Sequence, residues 1–221
     1  MKHRSAAVFF DVDGVLLDSL PEHLRICRDK ALEYGLSGVV VPDISEFRRM
    51  VNQGTRVSPM LNFFLAVGFP PAAAERAVRD YEHEFTARYR PPTFAGIDAM
   101  LGRLRAGGIA LGLVTSNTRG NVESALGASL DHFDRRCRFY FDSDAQPRSK
   151  TSYLQQGAQA IRVPTGDCTY VGDQPADVRA ADEAQTKFLG VTFGWGLIPG
   201  QPGVTLVDSV SGIADALLAP P

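Results

Sequence analysis

The spacing of apolar and polar residues changes character twice along the chain. Ala6–Asp11 is a short apolar, aromatic-rich run, the pattern of a strand buried on both faces of a parallel sheet. A turn at Gly14 follows, and then Leu24, Cys27, Ala31 and Tyr34 recur at helical spacing until Gly35 stops them. Ser19 and Glu22, with Pro21 between them, fit a capping box at the start of that helix, and Cys27 falls on its core face. From there to about Arg90 no segment reads as a strand. Ser45–Val51, Val57–Val67 and Ala72–Tyr89 read as helices, punctuated by Gly68 and the Pro70–Pro71 pair.

Beyond Pro91–Pro92 the pattern alternates. Strands are expected at Ile109–Thr115, Phe139–Asp142, Thr169–Val171 and Phe188–Thr192, and helices at Ile97–Arg105, Asn121–Leu126, Ser152–Ile161, Ala176–Ala184 and Ile213–Leu218. Such alternation predicts an α/β fold: a doubly wound, Rossmann-like parallel sheet core built from residues 1–17 and 93–221, with residues 18–92 inserted as an all-helical cap domain. The connections near Leu17–Leu20 and Arg90–Gly96 are then expected to be hinges.

Composition narrows the function classes. With 44% hydrophobic and 22% charged residues, the 221-residue chain is far from the signature of disorder. A net charge of −2 and the lack of a basic run argue against nucleic-acid binding. No apolar run is long enough to cross a membrane, and Asp11 and Asp13 interrupt the first one too early for a signal-peptide core. Cys27, Cys137 and Cys168 are odd in number and lack close-pair spacing, which points to reduced thiols in a cytoplasmic protein. His3, His23, His83 and His132 share no ligand spacing, so a histidine metal site is not expected.

In open α/β sheets, ligands bind beyond the carboxyl ends of the strands. Four places there carry chemistry. Asp11 and Asp13 stand two apart after the first strand, so in extended backbone both carboxylates face one site; their repulsion calls for a cation, and Mg²⁺ suits such oxygen ligands. Thr115, Ser116 and Asn117 end the second strand with hydroxyls, an amide and free N–H groups able to bind phosphate, or simply to cap a helix. Lys150 opens a helix, where its charge opposes the dipole and favours an anionic partner. Asp173, after Gly172, ends another strand with Asp177 one helical turn on, and either acid is also a plausible cap.

Together, FFDVDGVLLDS, LGLVTSN, Lys150 and YVGDQPAD resemble, in order and spacing, the four motifs of the haloacid dehalogenase-like superfamily. The chain is most similar to its phosphoglycolate phosphatase and β-phosphoglucomutase branch, whose helical cap follows the first motif. The resemblance implies a Mg²⁺-dependent phosphatase acting on a small phosphorylated metabolite, without nucleic acid or membrane, as a monomer or homodimer. It implies Asp11 as nucleophile, Asp13 as general acid and base, and Thr115 and Lys150 as holders of the phosphoryl group. It further implies a metal site at Asp11, Asp13 (through its backbone carbonyl) and Asp173, with Gly14, Gly172 and Asp177 in support.

Other chemistries of the superfamily fit less well. Asp13 disfavours dehalogenation. A Schiff-base lysine is not expected, because the only lysine of the cap segment, Lys30, reads as lying on the polar side of its helix. Mutases usually carry Glu-Asp where this chain has Gly172–Asp173, and they lack a match to Asp177; hydrolysis therefore leads, ahead of a phosphosugar mutase and a non-catalytic phosphate-binding module. Arg56, between two expected cap helices, is the candidate for gripping a second anionic group on the substrate. Trp195 is expected either to line the site or to pack over the sheet end.

Overall fold

The computed structural model describes residues 5–143 and 149–219. Among the described residues, six strands form one parallel sheet: β1 (Ala7–Phe10), β2 (Ala110–Val114), β3 (Arg138–Phe139), β4 (Cys168–Gly172), β5 (Lys187–Val191) and β6 (Leu206–Val207), in the order β3-β2-β1-β4-β5-β6. Four helices, α1 (Leu20–Glu33), α2 (Ile44–Asn52), α3 (Met60–Ala66) and α4 (Pro71–Arg88), are inserted between β1 and the rest. The core helices are α5 (Ile97–Ala106), α6 (Arg119–Leu126), α7 (Lys150–Ala160), α8 (Pro175–Ala184) and α9 (Val210–Leu218).

The period-two alternation of β1 explains how helices cover both faces of the sheet. Val8 and Phe10 pack into one cluster with Ile97, Leu101 and Leu104 of α5 and Ile213 of α9. Ala7 and Phe9 pack into another with Tyr153 and Leu154 of α7 and Ala181 of α8. Phe10 is level with Leu113 of β2 and with Val171 of β4, so three adjacent strands end together. Residues just past those ends therefore open onto one edge.

The inserted helices have an apolar cluster of their own, including Leu24, Cys27, Phe47, Phe63 and Phe85, and Trp195 from beyond β5 joins it. Their two connections to the sheet run side by side: Asp18 donates its N–H to the Pro92 carbonyl (2.9 Å) and Phe94 to that of Leu16 (3.0 Å). Among the described residues, no helix is long and apolar enough to cross a membrane.

Several local expectations need correction. Ser19 has helical backbone angles and makes no side-chain cap; its carbonyl instead accepts a bond from His23 Nδ1 (2.8 Å). Capping boxes form at Asp43–Glu46 and Gln174–Asp177. Helix α3 begins at Met60 rather than Val57: Pro59 is its extended N-cap residue, and the proline ring disfavours helical angles at Ser58 before it. Strand β3 stops at Phe139, since Tyr140 N–H turns to Ser143 Oγ (2.8 Å) and Phe141 N–H to the Asn117 carbonyl (2.9 Å). Lys30 is not on a polar face: it is fully buried, and its ammonium meets Glu84 (2.7 Å) and Glu33 (2.9 Å). Those ion pairs, rather than solvent exposure, remove it from Schiff-base chemistry.

Candidate active site

Asp11 leaves β1 pointing into the cleft, where Val12 N–H donates to its Oδ1 (2.8 Å) and Lys150 Nζ to its Oδ2 (2.6 Å). The same ammonium reaches Asp177 Oδ1 at 2.7 Å, so one cation ties the first residue of α7 to two carboxylates. Asp177 is fixed further by the N–H groups of Asp173 (3.2 Å) and Gln174 (3.1 Å) on its Oδ2. It is thus both the helix cap and the partner of Lys150.

Asp173 sits at the end of β4 with its Oδ2 accepting from Trp195 N–H (2.5 Å). Gly14 makes room for it. With φ +78°, that residue holds a left-handed turn, and a Cβ there would lie 2.2 Å from Asp173 Oδ2. Gly172 is required by Asp177 in the same way, because an added Cβ would fall 2.5 Å from the Asp177 Cβ. A glycine before Asp173 and an aspartate four residues after it are therefore linked by packing.

Asp13 lines the same cavity as Asp11, and Asn117 Nδ2 donates to its Oδ2 (2.9 Å). The Asn117 Oδ1 in turn accepts from Thr118 N–H (2.8 Å) and Asn121 Nδ2 (3.1 Å). The Asn117 amide is thereby committed to orienting Asp13. Thr115 is buried beneath, while Ser116 is exposed at the cleft.

The electrostatics are unbalanced. Carboxylate oxygens of Asp11, Asp173 and Asp177 lie within 4.8 Å of one another, against the single ammonium of Lys150. Burial, against the pull of Lys150 and aided by repulsion from Asp177, pushes the Asp11 carboxyl up to about 7. Asp173 is raised well above the usual carboxylate range by burial and by the charges of Asp177 and Asp11. For Lys150 burial works to lower the pKa, but Asp11 and Asp177 more than offset it and hold the ammonium well above its ordinary value. Asp173 Oδ1 and Asp13 Oδ1 are buried without a protein partner. Clustered, desolvated carboxylates with orphaned oxygens fit a hard divalent cation.

These groups line a cavity of about 340 Å³ that also takes in His23, Ser58 and Tyr81 from the inserted segment and Gln174 and Arg179 from α8. The family model described as haloacid dehalogenase-like hydrolase matches residues 8–191. The chain belongs to the haloacid dehalogenase-like hydrolases. It is 31% identical over 201 residues to a phosphoglycolate phosphatase of Xanthomonas campestris pv. campestris, covering 86% of this chain and 85% of that one. An N-acetylmuramic acid 6-phosphate phosphatase of Pseudomonas aeruginosa is 26% identical over 202 residues, covering 87% and 84%. In fold, the chain superposes on a haloacid dehalogenase-like family hydrolase of Streptococcus pneumoniae with a TM-score of 0.76 at 21% identity, over 95% and 97% of the two chains.

Within this hydrolase fold, the structure brings Asp11, Asp13, Thr115, Ser116, Asn117 and Lys150 to one cavity, with Asp173 and Asp177 beside them. Arg56 is not in that cavity; it is exposed and lines a smaller one of about 170 Å³ next to it. Trp195 both lines the site and packs on His23, ring centroids 5.0 Å apart. His83 and His132 are not part of this cavity, and His3 lies outside the described residues. Sequence reasoning missed His23, whose Nε2 faces the Tyr81 hydroxyl at 3.3 Å. Its signal was its place one turn into the helix that follows the first motif. Tyr170 was missed too: its hydroxyl lies 3.2 Å from Asp177 Oδ1, under the Lys150 bridge. Arg179 was readable only as one more helix-face arginine.

Proposed function

We propose that this phosphatase hydrolyses a small phosphate monoester through an aspartyl phosphate on Asp11, with Mg²⁺ held by Asp11, Asp173 and the backbone carbonyl of Asp13. The observation that carries the reading is the pairing of Lys150 with both Asp11 and Asp177 beside two buried, unpartnered carboxylate oxygens. Asp177 is satisfied by Lys150 and two N–H groups, which leaves it a supporting residue rather than a metal ligand.

Phosphate-monoester hydrolysis is among the slowest uncatalysed reactions, so several devices must act together. When bound, Mg²⁺ offsets the negative charge of the carboxylates and of the phosphoryl oxygens. Thr115, Ser116 and Lys150 hold those oxygens. A carboxylate oxygen of Asp11 attacks phosphorus as the ester bond breaks, and Asp13 gives its proton to the departing alkoxide. Asp13 then takes a proton from the water that attacks the aspartyl phosphate, freeing phosphate and restoring Asp11. The bond from Asn117 keeps Asp13 aimed through both steps.

Hydrolysis is favoured over phosphosugar transfer by the packing of Gly172 on Asp177, the phosphatase-like form of the fourth motif. Both relatives named above are phosphatases of phosphorylated acids, which supports a phosphorylated acid as substrate, with Arg56 reaching its second anionic group. Residues 18–92 would act as a cap that closes over the cleft about the paired connections. Three buried free thiols, at Cys27, Cys137 and Cys168, fit a reducing setting such as the cytoplasm.

The test is phosphate release from a generic aryl phosphate with Mg²⁺, for the natural protein and for Asp11→Asn. The account expects release that requires Mg²⁺ and is lost in the variant while its circular dichroism is retained. Equal release by both proteins would overturn it.

A further inference from the structure

The cleft-facing side of α8 carries Ala176, Arg179, Ala180 and Glu183, spaced as one helical face, and all four line the main cavity. Arg179 also lines the adjoining cavity together with Arg56, and the two cavities share Val57, Ser58, Gln174 and Ala176. They are therefore lobes of one cleft, with the phosphate chemistry in the larger and two guanidinium groups bordering the smaller.

Neither arginine makes an ion pair or hydrogen bond among the described residues. For Arg179 this is informative, because an acid four residues on would be its ordinary helical partner. Glu183 holds that position, yet its carboxylate accepts from Thr151 Oγ1 (2.8 Å) instead. The neighbours of Arg179 on the face, Ala176 and Ala180, are small and leave room beside it. A substrate with a second negative charge would be repelled by the acidic cluster around Asp11, so it needs a separate cation at its far end. A guanidinium fork meets a carboxylate in bidentate fashion, and two forks from different elements of one cavity can share one.

We infer that Arg179 is a specificity-determining residue: together with Arg56, which lines the same smaller lobe, it receives the carboxylate of a phosphorylated acid whose phosphoryl group lies at Asp11. The inference rests on the phosphatase reading for the position of the phosphoryl group. It adds a determinant on α8, outside the inserted segment that carries Arg56. Since Arg56 belongs to that segment and Arg179 to α8, the carboxylate bridges the two and favours the closed arrangement.

The experiment is calorimetric binding of non-hydrolysable phosphonates to the Mg²⁺-loaded full chain. A series of ω-phosphonocarboxylic acids of increasing length is compared with alkylphosphonates of matched length, for the natural protein, Arg179→Gln and Arg179→Lys. At the best length, the natural protein should prefer the acid by roughly 10- to 100-fold. Arg179→Gln should bring the preference to within a few-fold, and Arg179→Lys should restore part of it. The inference is overturned if the natural protein shows no preference, if Arg179→Gln keeps it, or if that variant weakens acid and alkylphosphonate alike. A preference for bisphosphonates over phosphonocarboxylic acids would overturn the assignment to a carboxylate. Because binding needs no turnover, failure of the hydrolytic reading appears separately, in the aryl phosphate assay.

Discussion

Replacing Asp11 with Asn should stabilise the metal-free protein even as it removes the nucleophile. The Asp11 carboxyl is buried and raised from 3.8 to about 7, by burial first, against the attraction of Lys150 and with repulsion from Asp177. In the unfolded chain this group ionises near 3.8, so between that pH and about 7 only the unfolded state has released the proton. Its contribution to stability is whole below pH 3.8 and is lost as pH rises to about 7. At about 1.36 kcal/mol per pH unit, the full loss is of the order of 4 kcal/mol. Asn has the same shape and no charge to desolvate. The advantage of Asp11→Asn should therefore grow by about 2–3 kcal/mol between roughly pH 5 and pH 7. Urea unfolding of both proteins in chelator across that range reads it directly. Added Mg²⁺ should narrow the gap at neutral pH, because binding to the folded natural protein restores stability by mass action. Parallel pH profiles for the two proteins, or a natural protein that gains on the variant as pH rises, would refute the reasoning.

Three other substitutions probe separate parts of the account. Gly14→Ala places a Cβ 2.2 Å from Asp173 Oδ2 on left-handed backbone, and should cost about 2–4 kcal/mol in urea unfolding. The same variant should weaken Mg²⁺ binding by calorimetry at least about 10-fold, since Asp173 must move. Asn117→Ala frees Asp13 and should lower kcat by roughly 10- to 100-fold while KM changes little, as expected for a misaimed acid and base. Lys30→Met removes the buried one of the two cations that pair Glu33 and Glu84, leaving them to Arg88 alone, and should destabilise the fold by about 1 kcal/mol in the same unfolding assay.

Where apolar pattern and covalent spacing decide the outcome, the chain was legible. The AAVFF run became the central strand, and the acids just past its end and past β4 met because register levels Phe10 with Val171. The inserted helices were readable from the lack of any strand between Tyr34 and Arg90. What failed depended on contacts distant in sequence. Lys30 looked solvated on its own helix but is buried by acids of α1 and α4. Ser19 had the residues for a capping box, yet its carbonyl is taken by His23 in a nest of aromatic rings that sequence spacing does not reveal. Asn117 was readable as a polar strand-end residue, but its bond to Asp13 depends on β2 lying beside β1. Arg179 became distinct from the other arginines only when its expected partner, Glu183, was found bonded to Thr151.

The central claim is that the phosphoryl group passes through Asp11. Acid quenching of the Mg²⁺-loaded protein during turnover of an aryl phosphate, followed by peptide mass analysis, tests it most directly. The account predicts one added phosphoryl group on the peptide containing Asp11, stable to acid and released by hydroxylamine, and none in Asp11→Asn. Substrate turnover with no phosphorylated peptide at any quench time, or with the group on another residue, would contradict it.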